Sequence, residues 1–257
     1  MGAPYPMGRP AAAGGRAATG RGRFGPTGPA DRAARVYQGR MVDPRAYERY
    51  LSALLAGDRA ACRAVVDGLL ARGVAVRALY DDLFKVSLYE VGRRWMLGQV
   101  SVAVEHLATA ITEDLLARVF PQVVAREPLG RVAVVSCAAD EFHQLGGRIV
   151  ADILELRGWD VCFVGAGTPQ ADLVALVLER RPDLCALSVT IPAHLDNVRC
   201  TVAALRGAGA TLPIVVGGQA VTLAPDALRD LDAAHDVYVA TSVEALEARL
   251  PAWEPAR

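Results

Sequence analysis

Five apolar runs, each followed by a stretch of helical spacing, restrict residues 130–250 to very few folds. The runs are RVAVVSCA, DVCFVG, LCALSVT, LPIVVGG and HDVYVA. None alternates apolar with polar residues. Strands of that kind are covered on both faces, which is the condition of a parallel sheet between two layers of helices. Between the runs, Thr168 with Pro169 is read as opening one helix, and TSVE at 241–244 as a capping box for the last. Strand and helix in turn predict an α/β Rossmann-like domain, a flavodoxin-like five-stranded parallel sheet with strand order 2-1-3-4-5. In that order strands 1, 3 and 4 are neighbours, and a ligand binds beyond their C-terminal ends.

Residues 43–125 carry a different period. Asp43 followed by Pro44 is a helix start, and Gly57 marks that helix's end. DRAACRAVVDGLLARG is a second helix that stops at Gly73. VRALYDDLFKVSLYEVGRRWMLG is a third, with Leu79, Leu83, Val86 and Val91 on its apolar stripe. Ser101 caps a fourth, VAVEHLATAITEDLLARVF. Four helices with short links predict an antiparallel bundle preceding the α/β domain.

Residues 1–42 differ from both. Gly, Pro, Ala and Arg dominate without a hydrophobic period, and over residues 1–40 seven arginines face only Asp31, a net charge of +6. Such a segment cannot bury enough apolar surface to offset its ordering entropy, so a disordered arm is expected. Its charge makes it a candidate for contact with DNA or a partner. Met41 is a candidate second start for a form without the arm. Over the whole chain the formal net charge is zero, which argues against general attraction to nucleic acid or membrane. No apolar run reaches transmembrane length, and the N-terminus lacks the layout of a signal peptide. Five scattered cysteines without CxxC spacing are expected to be reduced, buried thiols, so the chain reads as cytoplasmic.

Four unusual features fall on or beside the expected ligand rim. His143 follows strand 1, and Gly146 with Gly147 opens the next helix. Ser188 and Thr190 end strand 3, and Gly217 with Gly218 ends strand 4. Glycine pairs remove side chains from a crevice, so that a bulky group enters or backbones pack closely. A phosphate loop is the weaker account. No GxGxxG follows strand 1, GxxxxGK[ST] occurs nowhere, and His143 would have no role. A neutral imidazole is a good metal ligand, oriented and polarised by a neighbouring carboxylate.

As a set, Glu141-Phe142-His143-Gln144-Leu145-Gly146, then Ser188-Val189-Thr190, then Gly217-Gly218, resembles the [D/E]xHxxG…SxL…GG signature of cobalamin-binding domains. The resemblance implies cobalamin bound base-off, with His143 replacing its dimethylbenzimidazole as lower axial cobalt ligand. It also implies a slot for the displaced nucleotide tail beside Ser188 and the Gly217-Gly218 pair. Glu141 stands where many family members have Asp, and Thr190 where Leu is usual. In the bundle, VGRRWMLGQVSVAVEHLAT, residues 91–109, resembles the Wx9EH motif of CarH-type light-sensing B12 proteins. Trp95, Glu105 and His106 occupy the motif positions, with Val102 among them at helical spacing. That likeness implies a cap over the upper face of the corrin, with Trp95 over the cobalt. CarH-type proteins carry a histidine directly after that Trp, which captures cobalt once light releases the adenosyl group. Here the residue is Met96, a softer and weaker ligand.

A helix-turn-helix does not fit in residues 1–40, so the architecture resembles AerR-type antirepressors of purple photosynthetic bacteria. The resemblance implies a cobalamin-dependent, light-responsive regulator acting on a CrtJ/PpsR-type repressor of photosynthesis genes. Hydroxo-, methyl- and adenosylcobalamin are all candidate forms of the cofactor. Corrinoid methyl carriers are the alternative, since they join a helical bundle to the same α/β domain, but they need an upper face open to partner enzymes. No Ser/His/Asp or paired-carboxylate set points to independent hydrolysis, so no turnover is expected. For the upper cobalt position after photolysis His106 is the first candidate. His194, after strand 3, shares the ligand rim, while His235 is expected at the opposite end of the sheet.

Overall fold

A computed structural model of the protein describes residues 42–122, 127–224, 226–231 and 237–254. The expected disordered arm up to residue 41, the second start at Met41 and the position of His235 lie outside these residues. Val42, assigned to the arm by composition, is buried in the bundle core.

The bundle starts as its caps require. Helix α1 (Pro44–Leu55) begins under Asp43, whose carboxylate accepts from the Arg45 N–H. Helix α2 (Arg59–Ala71) begins under Asp58, which accepts from the Ala61 N–H. The third helix is not the continuous one its period predicts. A short α3 (Val76–Leu79) passes into a π-helical segment, Tyr80–Lys85, and then into α4 (Val86–Met96). The wider π turn brings Tyr80, Leu83 and Phe84 inward together, all fully buried. It also rotates the stripe that follows, so that Ser87 is buried and Val86 only half so. Helix α5 (Val102–Val119) starts under Ser101, whose hydroxyl accepts from the Val104 N–H.

The sheet has the predicted order. Strands β1 (Val132–Cys137), β2 (Asp160–Gly165), β3 (Leu184–Ser188), β4 (Ile214–Gly217) and β5 (Val237–Ala240) run parallel in the order β2-β1-β3-β4-β5. The helices between them are α6 (Leu145–Leu156), α7 (Gln170–Arg180), α8 (Leu195–Gly207) and α9 (Gln219–Leu223), with α10 (Val243–Arg249) after β5. Val134, Cys185, Leu187 and Val216 pack on one side with Val177, Val198 and Val202. Ala133, Val135, Ala186 and Val215 pack on the other with Leu154 and Leu246. This two-sided burial is the reason the strands read as unbroken apolar runs. Two helix starts differ from expectation. Ser242 caps α10 by accepting from the Ala245 N–H, one residue later than the 241–244 box requires. Pro169 precedes α7 without a side-chain cap, so Thr168 does not perform that role.

Helix α6 belongs to both layers. Its Leu145, Ile149 and Ile153 sit in the bundle core, while its Ala151 and Leu154 pack on the sheet. Polar contacts fix the same junction. The Tyr80 hydroxyl donates to Asp152 at 2.9 Å, and the Gln144 amide donates to Glu113 of α5 at 2.9 Å. Arg77 pairs with Glu247 of α10 at 2.8 Å. The bundle therefore grips the helix that begins just after His143.

Register sets the rim. Cys137 pairs with Ser188, Ser188 with Gly217, and Gly217 with Ala240, so β1, β3, β4 and β5 end on one level. All five cysteines are free. Cys62, Cys137 and Cys185 are buried as expected, but Cys162 is only half-buried and Cys200 is exposed. Among the described residues, no helix is long and apolar enough to cross a membrane.

Candidate functional site

The turn from β1 to α6 carries His143 out to the rim, with its side chain 45% exposed. Its Nδ1 donates to Glu141 Oε1 at 2.5 Å, and its backbone N–H donates to the same oxygen at 3.0 Å. Glu141 is fully buried. Its other oxygen accepts from the N–H groups of Thr190 at 2.8 Å and Ile191 at 3.0 Å, with His194 Nδ1 at 3.3 Å. Burial alone would push this carboxyl up. The His143 side chain and the backbone donors outweigh that and hold it well below the ordinary carboxylate range. The bond to Glu141 in turn raises His143 against the effect of burial, and the charge of Glu105 in the bundle adds to the rise. With Nδ1 committed to a carboxylate, Nε2 is the nitrogen left to bind a metal.

The glycines divide between the two uses open to them. At Gly218, φ is +117° and a Cβ would lie 2.2 Å from the Val189 carbonyl oxygen, so only glycine lets β4 leave the sheet there. At Gly147 a Cβ would meet Phe163 at 3.4 Å and Ser188 at 3.5 Å, and at Gly217 the Ala240 carbonyl oxygen at 3.3 Å. These are close-packing positions. Gly146 is different. A Cβ there would stand just as close, 3.2 Å from Ser188 Oγ, but the residue itself is exposed.

The bundle presents the other half of the residues singled out by sequence. Trp95, in the last turn of α4, is 48% exposed, so it is not a core tryptophan. Met96, next to it, and Val102, at the start of α5, are exposed as well. Glu105 holds His106 Nδ1 at 2.7 Å and accepts from the Thr109 hydroxyl at 3.2 Å. The His106 side chain is 75% exposed, again with Nε2 unclaimed by that pair.

Several expected residues have other engagements. Gln144 is bound to Glu113, Leu145 is buried in the bundle core, and Thr190 contributes its backbone N–H to Glu141. Phe142 is 64% exposed and lies beside Gly167. His194, a candidate for the upper cobalt position, instead meets Glu141 beside His143. Sequence reasoning gave no role to Glu113, Phe163 or Asn197. Their place at the site depends on tertiary approach, and no local motif marks them.

A corrin brings its own equatorial nitrogen donors to cobalt, so a protein needs to supply one anchored axial donor and room for the nucleotide tail. His143, fixed at Nδ1 by a buried carboxylate, fits the first requirement, and Gly146, exposed beside Ser188, leaves no side chain in the way of the second. Among the described residues, no group of three or more His, Cys, Asp or Glu side chains forms a chelating metal centre.

Comparison with known proteins defines the class. Two family models, each described as a B12 binding domain, match the chain, one over residues 46–119 and one over residues 131–250. The cofactor these domains indicate is a cobalamin. The HTH-type transcriptional repressor CarH of Myxococcus xanthus is 33% identical over 178 residues, covering 67% of this chain and 57% of CarH. The chain thus carries a cobalamin-binding module like that of CarH, while spanning little more than half of CarH's length. The trimethylamine corrinoid protein of Methanosarcina barkeri is 26% identical over 164 residues, covering 62% of this chain and 75% of that protein. In fold, the monomethylamine corrinoid protein of Methanosarcina barkeri superposes with a TM-score of 0.70 at 14% identity, over 82% of this chain and 100% of that one.

Proposed function

We propose that the protein is a cobalamin-dependent, light-responsive transcriptional regulator without turnover of its own, an antirepressor acting on a CrtJ/PpsR-type repressor of photosynthesis genes. The observation that carries this reading is the pairing of two carboxylate-held histidines. Glu141 holds His143 on the sheet rim, and Glu105, whose charge reaches His143, holds His106 on the cap. His143 Nε2 is the lower cobalt ligand, and Glu141 fixes its orientation. The slot for the nucleotide tail lies beside Ser188 and the Gly217-Gly218 pair, with Gly146 at its border. Trp95, Val102, Glu105 and His106 cover the upper face, and His106 is the residue to take the upper position. A methyl- or adenosylcobalamin, when bound, would supply a cobalt–carbon bond that light cleaves. The Arg-rich residues 1–40 add a contact to DNA near the repressor.

The CarH likeness supports the regulatory half of the proposal. The alternative, a corrinoid methyl carrier, is favoured by the larger share of the trimethylamine corrinoid protein that the chain covers. Binding and pull-down separate the two. The protein is loaded with hydroxo-, methyl- and adenosylcobalamin, in the dark and illuminated, and tested for capture of the repressor. Capture that changes with illumination is the expected result. Light-independent behaviour, together with methyl transfer from the loaded protein to a partner methyltransferase's thiol acceptor, would establish the carrier instead. In either case His143→Ala is expected to lose more affinity than the ~10–100-fold typical of residues behind a ligand.

A further inference from the structure

We infer that the start of α8 positions the metal-ligating turn, through His194 and Asn197. The inference rests on His143 being the lower cobalt ligand.

The β1–α6 turn contains a costly conformation. Asp140 has φ +61°, in the left-handed region that residues with a side chain rarely adopt. Such a conformation persists when the surroundings over-determine it. Asn197 supplies that constraint. Its amide Nδ2 donates to the Ala139 carbonyl at 2.8 Å and lies 3.3 Å from Asp140 Oδ2.

One residue further on, Glu141 must be held as well. A glutamate has one more rotatable bond than an aspartate, so fixing the oxygen on His143 does not by itself fix the carboxylate. The far oxygen is held by the Thr190 and Ile191 N–H groups and by His194 Nδ1. His194 occupies the N-cap position of α8 but makes no side-chain cap bond. Its ring is turned to Glu141. The start of α8 thus grips the turn at residues 139–140 and again at the Glu141 carboxylate. These are positioning residues, and they act on His143 only through the backbone and Glu141.

The test uses the full chain and two kinds of readout. In the cofactor-free protein, His194→Ala and Asn197→Ala are expected to speed amide exchange at residues 140–144 and at Thr190 and Ile191, leaving the bundle's exchange unchanged. In the protein loaded with Co(II) cobalamin, both are expected to weaken binding by about 10-fold, the lower end for groups behind a ligand. Both should also raise the fraction of cobalt whose electron paramagnetic resonance spectrum lacks histidine nitrogen splitting. His194→Asn sets an amide nitrogen where Nδ1 stands and is expected to restore the splitting. His194→Gln places its amide one bond further out and should not. Should His194→Ala fail to fold, the Asn and Gln variants decide between them. Identical behaviour of those two variants overturns the role of His194. Wild-type exchange and spectra in Asn197→Ala overturn the role of Asn197. A wild-type protein without histidine splitting defeats the His143 assignment itself. A wild-type protein with it, and variants that match, defeats only this inference.

Discussion

Two glycines, one at β4's exit and one in α6's first turn, separate folding from binding at the residue scale. Gly218 serves the fold. Alanine there combines a positive φ with a 2.2 Å approach to a carbonyl oxygen, and is expected to destabilise by about 1–3 kcal/mol. A lowered urea midpoint is the readout, and an unchanged midpoint would contradict it. Gly146 serves the proposed slot. Gly146→Ala meets only Ser188 Oγ at 3.2 Å and is expected to stay within ~0.5 kcal/mol of wild type, yet to bind cobalamin more weakly. Full binding would remove Gly146 from the slot. The sequence marks these glycines as a group, because each belongs to a glycine pair on the expected ligand rim. It cannot sort them, because the neighbours that decide, Val189 and Ser188, come from β3 and its exit. For the same reason the Glu141–His143 couple was legible from two-residue spacing, whereas His194, fifty-three positions from Glu141, was not assigned to it.

The least legible element is the third helix of the bundle. Apolar spacing reports that a helix is present, but a single π segment alters which residues face inward without altering composition. The segment carries Tyr80 into contact with Asp152, a carboxylate buried on α6 that also accepts from Arg148 at 2.6 Å. Tyr80→Phe leaves that carboxylate one donor short and is expected to cost about 1–3 kcal/mol. The loss should be largely absent when Asp152 is already Asn, as a double-mutant cycle of denaturation curves will report. The neighbouring α4 gives a pH dependence. Hydrogen bonds from Arg93 and then Arg94, opposed by partial burial, lower the Glu90 carboxyl to about 2 from an ordinary 4.5. A depressed carboxyl binds protons more readily in the unfolded chain, so its contribution is complete above pH 4.5 and is lost as pH falls toward about 2. The effect is modest because the arginines are partly solvated. Glu90→Gln is expected to flatten the acid limb of the stability curve in that window, and an unaltered limb would contradict the assignment.

For the whole molecule, the α/β half was readable because burial on both faces writes itself as unbroken apolar runs, and five such runs with intervening helices admit few strand orders. The junction between bundle and sheet was not readable. It depends on α6 turning one side to each layer, which a single helical period does not announce. That junction holds α5, the helix that carries Glu105, against Gln144 beside His143. The central claim is that a histidine of this chain, His143, is the lower ligand of bound cobalamin. The most direct measurement is the electron paramagnetic resonance spectrum of the Co(II) cobalamin complex, with the protein's histidines labelled with nitrogen-15 and the cofactor left unlabelled. Ligation by His143 predicts that each cobalt line is split into a doublet, and that the doublet disappears in His143→Ala. A triplet from the cofactor's own unlabelled base, unchanged by labelling and by the substitution, would contradict it.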